Sequence, residues 1–205
     1  MAVTNAVIDL SHNNSRVDFG AIQGGGIFGV LHKATQGLNF IDPMYASRRG
    51  PALSAGLRWG AYHFGTGADG AGQAEFFLEH AQPAAGTLLV LDFEINPAGA
   101  TMSLDEARAF VEAVQSATGR WPGLYGGSYL KEQLNGKADP ILSQCWLWLS
   151  QYGPTAVLPP GWSQWTLWLY TDGHVGPPPY AVPGVGPCDR DMFQGAIGDL
   201  QNFWQ

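Results

Sequence analysis

Charge is scarce in this chain of 205 residues. Asp, Glu, Lys and Arg make up 13% of it, about half the roughly 25% usual for a soluble domain, so uncharged polar groups, glycine and aromatic rings must cover much of the surface. What charge there is leans acidic, 17 residues against 10 basic ones, for a net charge of −7. No block of Lys and Arg is present to follow a phosphate backbone, which argues against a nucleic-acid partner. Cysteine is nearly absent. Cys145 and Cys188 are too few for a disulfide framework and form no C-x-x-C pair; Cys145, in the run QCWLWL, reads as a buried thiol. The histidines (His12, His32, His63, His80 and His174) fall at no metal-binding spacing such as H-E-x-x-H, so no metal site is expected. No apolar run reaches the roughly 18 residues of a membrane span. The opening MAVTNAVIDLSHNN has no basic region followed by a long apolar one, so no Sec signal is visible.

Hydrophobic and aromatic side chains are what the chain does have. It is 45% hydrophobic with eight Trp, enough to build a sizeable core in one domain over residues 1–205. Ring faces of this kind fill cores or stack on the apolar faces of sugars, and composition alone does not choose.

The most informative stretch is LLVLDFE, residues 88–94. It reads as a buried strand whose alternation puts Leu89, Leu91 and Phe93 on one face and Val90, Asp92 and Glu94 on the other. Two carboxylates on one face raise each other's pKa, which suits acid catalysis at a glycosidic bond. The alternative on local sequence is a strand that simply runs out into solvent through Ile95-Asn96-Pro97.

Along the chain, eight short apolar runs read as strands: 6–10, 28–33, 58–64, 88–94, 123–126, 145–149, 165–170 and 188–192. Five helices are predicted at 17–23, 42–55, 71–82, 103–118 and 128–134, the second kinked or split at Gly50-Pro51. The fourth opens on a Ser103/Glu106 capping box and closes at Gly119. Strand–helix alternation argues for an α/β fold with a parallel sheet; the last strands, which lack helices between them, connect through Pro- and Gly-rich loops. If the sheet closes as a flattened (β/α) TIM-like barrel, the carboxyl ends of the strands share one rim. Asp9, Tyr62, Asp92, Glu94 and Asp189 all lie at or near predicted strand ends. Among the late aromatics (Trp146, Trp148, Trp165, Trp168, Tyr170), most are expected to pack between the sheet and its covering elements, with one or two near strand ends stacking on sugar rings.

Nine motifs occur in order between about Val7 and Phe193. They are DxS (9–11), VDFGAI, HKATQG, GAYHF, LDFE, TGxxPxLY (118–125), LWLSQY, LWLYT and CDRDMF. Together they resemble the glycoside hydrolase family 25 lysozymes, the N-acetylmuramidases of the phage and Chalaropsis type. The resemblance implies a flattened β/α barrel that hydrolyses the β-1,4 bond between N-acetylmuramic acid and N-acetylglucosamine in the glycan strands of peptidoglycan, with no metal or organic cofactor. It matches Glu94 to the family's general acid, Asp92 to its partner carboxylate, Asp9 to the first-strand aspartate and Asp189 to the aspartate of the terminal motif. Tyr62 then hydrogen-bonds near the reacting centre, and His63, Lys33, Gln36, Tyr125, Trp168 and Tyr170 are candidates for binding substrate. Four positions depart from the family's habit: Gln36 stands where Glu is frequent, Phe19 where Trp is common, Leu169 where Gln is usual, and Asp191 where Asn is frequent.

Two rival readings carry different chemistry. One is a barrel that binds wall glycans without cutting them; the other is a metal-dependent amidase acting on the stem peptide. The absence of a visible signal and of a wall-binding repeat fits a phage endolysin released through a holin, and equally an effector delivered by a secretion machine. Nothing in the sequence speaks to assembly, so a monomer is the default.

Overall fold

Period-two apolar runs and amphipathic stretches resolve into strands and helices in the computed structural model, which describes residues 2–205 (Met1, the first residue of the expected domain, lies outside them). In chain order they are β1 (Thr4–Leu10), α1 (Phe19–Gly24), β2 (Gly29–Gln36), β3 (Phe40–Ile41), α2 (Tyr45–Ser54), β4 (Arg58–Phe64), α3 (Gly70–Ala81), β5 (Leu88–Asp92), α4 (Leu104–Thr118), β6 (Gly123–Gly126), α5 (Ser128–Leu134), β7 (Trp146–Ser150), β8 (Leu167–Thr171), β9 (Ala181–Val182), β10 (Gly186–Pro187), β11 (Arg190–Phe193) and α6 (Ile197–Phe203). Side-chain caps set several helix starts: Asp18 accepts from Ala21 N–H, and Ser103 and Glu106 form the expected capping box. Gly119, at φ 73°, closes α4 in the left-handed conformation that glycine adopts without strain.

The strands close into a barrel. β1, β2, β4, β5, β6, β7 and β8 pair in parallel in that order. β11 then returns antiparallel between β8 and β1 and seals the ring. The late strands are thus loop-connected, as expected, and β9 and β10 form a small separate hairpin.

Alternation along each strand makes two cores. Inside the barrel lie Val7, Leu31, Val90, Trp148, Leu167, Leu169 and Phe193. Between barrel and helices lie Ile8, Val30, Leu89, Leu91, Phe110, Val111 and others. The barrel's far end is plugged by α6, whose neighbour Trp204 is fully buried and donates from Nε1 to Trp59 O at 3.2 Å. Gly29 is obligatory beneath it, because a Cβ there would lie 2.4 Å from the Trp204 ring.

The two-residue strands β3, β9 and β10 are too short for any apolar run to mark them, and three longer features also differ from the sequence reading. α2 runs unbroken through Pro51; that residue is exposed, so the carbonyl left without its N–H partner faces water, where the lost bond costs least. α6 escaped notice because a seven-residue helix with one buried side chain, Leu200, shows no amphipathic period. β5 stops at Asp92 rather than Glu94, although Phe93 N–H still reaches Tyr125 O at 2.9 Å.

Candidate active site

Parallel strands deliver their carboxyl ends to one rim, and the antiparallel β11 delivers its start there. Asp9 (β1), Tyr62 (β4), Asp92 and Glu94 (end of β5), Tyr125 (β6), Trp148 (β7), Tyr152, Leu169 (β8) and Asp189 (just before β11) consequently line one cavity of about 220 Å³. The fully buried Phe93 sets the angle of the acidic pair. Its ring packs into the helix-side core against Tyr129 at 5.0 Å, so Asp92 and Glu94, one residue to either side, face the opposite way. The Asp92 carbonyl accepts from Gly65 N–H at 2.9 Å and fixes that strand end to β4.

Four carboxyl groups in one small cavity cannot all ionise freely. Burial, then the negative charges of Asp189, Asp191, Asp92 and Glu94, hold Asp9 well above the usual carboxylate range. Burial and then Glu94 do the same to Asp92. Burial raises Glu94 too, and burial with Asp172 and Glu94 nearby pushes Asp189 up to about 6. Lys33 is the cation that opposes the rise at both Asp92 and Glu94. The buried Asp9 Oδ2 and Asp92 Oδ1 have no hydrogen-bond partner within the protein. Such atoms are costly unless a proton or a ligand donor reaches them.

A fifth carboxyl lies beneath the cavity. Asp191 is fully buried and accepts from Trp148 Nε1 at 2.6 Å, with its Oδ2 unpartnered. The bond sets the indole across the cavity wall, where Trp148 packs edge-on to Tyr125 (4.8 Å) and Tyr62 (6.2 Å). Burial holds Asp191 well above its ordinary range. A carboxyl whose pKa is higher folded than unfolded contributes stability that is complete below the unfolded value and is lost as pH rises through the folded one. Asp191→Asn keeps an acceptor for the indole and removes the titration. The variant is therefore expected to gain thermal stability on wild type as pH rises from 5 to 8. Asp191→Ala strands the indole N–H and is expected to lose about 1–3 kcal/mol at every pH. Parallel melting curves against pH for the three proteins check both.

The structure sorts the remaining sequence candidates. Tyr125 lines the cavity, its hydroxyl accepting from Ser150 Oγ at 2.8 Å. Lys33 stands beside it, its Nζ donating to Gln36 Oε1 at 2.6 Å. Gln36, its partner, is likewise outside the lining, and three further candidates lie away from the cavity altogether. His63 is fully buried on the outer face of β4, stacked on Phe110 at 5.0 Å and bonded to Thr35 Oγ1 and Gln73 Oε1, so burial pushes it down to about 4 and it stays neutral. Trp168 and Tyr170 have the parity of β8 that faces outward: Trp168 Nε1 donates to Gln151 O at 2.7 Å, and the Tyr170 hydroxyl meets Asn5, Arg190 and Pro179. Tyr152 is a lining residue that the sequence reading does not name, while Trp148 enters there only among the late aromatics and Asp191 only as a departure from the family's habit. The signal was parity: Trp148 shares a face with Ser150 at the end of its strand, and Asp191 shares one with Asp189. Cys145 and Cys188 are both buried and free.

A closed β/α barrel with a cluster of pKa-raised carboxyls at the carboxyl rim of its strands is the architecture of a barrel glycosidase. Comparison with known proteins gives the family. The family model "Glycosyl hydrolases family 25" matches residues 8–177, and the chain belongs to that family. It is 27% identical over 209 residues to Lysozyme M1 of Streptomyces globisporus, covering 94% of this chain and 69% of that protein. To the N,O-diacetylmuramidase of Chalaropsis sp it is 27% identical over 213 residues, covering 95% and 96%. Among solved structures, a family GH25 lysozyme from Aspergillus fumigatus superposes with a TM-score of 0.85 at 28% identity over 100% of both chains. The bacterial lysozyme from Streptomyces coelicolor does so with 0.84 at 27% identity over 96% and 95%. The family match ends before Asp189, so that residue's place in the site rests on the barrel's closure.

Proposed function

We propose that this protein is an N-acetylmuramidase, a lysozyme that hydrolyses the β-1,4 bond between N-acetylmuramic acid and N-acetylglucosamine in bacterial peptidoglycan. The observation that carries the reading is the meeting of Asp92, Glu94, Asp9 and Asp189 in one cavity at the barrel rim. Residues 2–205 are read as one catalytic domain, because the ring closes only when β11 joins β1; a monomer is the default reading of its assembly. Its place of action is the bacterial wall, reached by export, holin-dependent release or effector delivery. No described helix is long and apolar enough to cross a membrane.

Glu94 is the general acid. It is half-buried at the mouth while Asp92 is buried below it, so Glu94 meets the leaving glycosidic oxygen and Asp92 the sugar ring. The carboxyls hold protons jointly in the free protein. With substrate bound, the proton stays on Glu94, and Asp92 carries the negative charge that faces the positive charge developing on the sugar. Asp92 Oδ1, unpartnered in the barrel, accepts the N–H of the substrate's 2-acetamido group. The acetamido carbonyl oxygen then attacks the anomeric carbon as the glycosidic bond breaks and Glu94 gives its proton to the departing oxygen. Water, losing a proton to Glu94, opens the cyclic intermediate, which completes the substrate-assisted variant of the retaining reaction. Asp9 and Asp189 tune the proton affinity of the pair and bind sugar hydroxyls, and Tyr62 hydrogen-bonds at the reacting sugar.

Because the acid must be protonated and its pKa is raised, kcat/KM is expected to fall as pH rises, with the limb displaced upward from the ordinary glutamate value. A pH–rate profile on soluble glycan strands reads this directly. The reaction class is tested on purified peptidoglycan, where a muramidase releases reducing ends. Release of free amines that a chelator abolishes would identify an amidase instead, and tight binding without release a glycan-binding barrel.

A further inference from the structure

Beside the cavity stands an aromatic surface that the reaction itself does not use. The chain leaves β2 at Gln36 and returns as β3, pairing Gln36 with Phe40 and Thr35 with Ile41. Gln36, Phe64 and Asp92 are register partners on successive strands. Phe40 therefore lies about three strand spacings from Asp92, roughly 14 Å. That is too far to touch the sugars at the cleaved bond and close enough to meet the same strand further along.

Phe40 belongs to neither core and is 36% exposed, yet its surroundings are built. Lys33 Nζ sits 5.6 Å from its ring centroid and 4.9 Å from that of Phe64, held there by Gln36 Oε1. The His12 ring lies 5.6 Å away. His12 is pinned through its backbone N–H and Nδ1, both to Oδ2 of the buried Asp42 at 2.9 and 2.8 Å. Asp42 also accepts from Met44 N–H and donates its own N–H to Ala34 O at 2.8 Å, which locks β3 to β2. With Nδ1 engaged by Asp42, His12 Nε2 is the ring nitrogen left for a ligand.

A flat apolar ring, partly open, with an ammonium over one face and an imidazole inclined against it has the chemistry of a pyranose site. The open part of the ring takes the C–H face of the sugar, and the flanking groups take its hydroxyls or acetamido oxygen. We propose that Phe40, flanked by His12 and Lys33, is a distal saccharide platform that binds an N-acetylated sugar of the glycan strand beyond the pair flanking the cleaved bond. This role presupposes the glycan-cleaving reading above and adds strand-length preference to it.

The test measures kcat/KM on peptidoglycan glycan strands of graded length for wild type, Phe40→Ala and Phe40→Trp. Wild type is expected to improve with length. Phe40→Ala should lose about three- to tenfold on the long strands, chiefly in KM, and so flatten the dependence; Phe40→Trp keeps a ring and should restore it. Thermal unfolding of each variant establishes that the hairpin has not perturbed the fold. Parallel length dependences for wild type and Phe40→Ala would overturn the platform. Failure of wild type to cleave strands of any length would instead overturn the muramidase reading, so the two failures are told apart.

Discussion

Glu94→Gln is expected to lower kcat on peptidoglycan by roughly 10²–10⁴-fold, with KM little changed. A positioned general acid is worth about that much, and a carboxamide keeps the shape and polarity of the side chain while holding no transferable proton. The barrel should be undisturbed. Glu94 is half-buried and lies beyond the last residue of β5, and its direction is set by Phe93 rather than by any bond of its own. A variant within a few-fold of wild type would remove Glu94 from the reaction and leave the cavity without an acid at its mouth.

Asp92→Asn is the second large effect, expected to cost roughly 10²–10³-fold in kcat, the usual consequence of removing one preorganised electrostatic partner. It also carries a directional signature. Each of the two carboxyls raises the proton affinity of the other, so loss of the Asp92 charge should move the alkaline limb of the pH–rate profile to lower pH. An Asp92 that merely supported the strand end would lower the rate without moving the limb. If Asp92 orients the acetamido group, the variant should also discriminate less between N-acetylated and de-N-acetylated strands, because wild type alone would still be using that group.

Much of this was legible in the sequence, for reasons that can be given residue by residue. The period of two in LLVLDFE put Asp92 and Glu94 on one face, and the alternation of strands with helices put their strand end on a shared rim with Asp9. The site's composition followed from topology: a barrel makes neighbours of its first and last strands, so Asp189 reaches Asp9 across nearly the whole chain. Parity was the weaker point. In GAYHF the adjacent Tyr62 and His63 looked alike as polar ends of a strand, but they face opposite ways, and only Tyr62 enters the cavity. In LWLYT the aromatic pair Trp168 and Tyr170 reads as sugar-binding, yet Leu169 between them, noted only as a departure from the family's usual Gln, is the residue at the cavity wall. Trp148 and Asp191 form a buried bond between strands 43 positions apart, and no local pattern announces such a pair. α6 and its Trp204 plug remained hidden because their stabilisation is tertiary, an indole over Gly29, and leaves no helical period behind.

The measurement that bears most directly on the central claim is mass analysis of the new reducing termini after digestion of purified peptidoglycan by wild type and by Glu94→Gln. The expected result is fragments ending in reducing N-acetylmuramic acid from wild type and their near-absence from the variant. Fragments ending in reducing N-acetylglucosamine, or equal yields of muramic ends from both proteins, would contradict it.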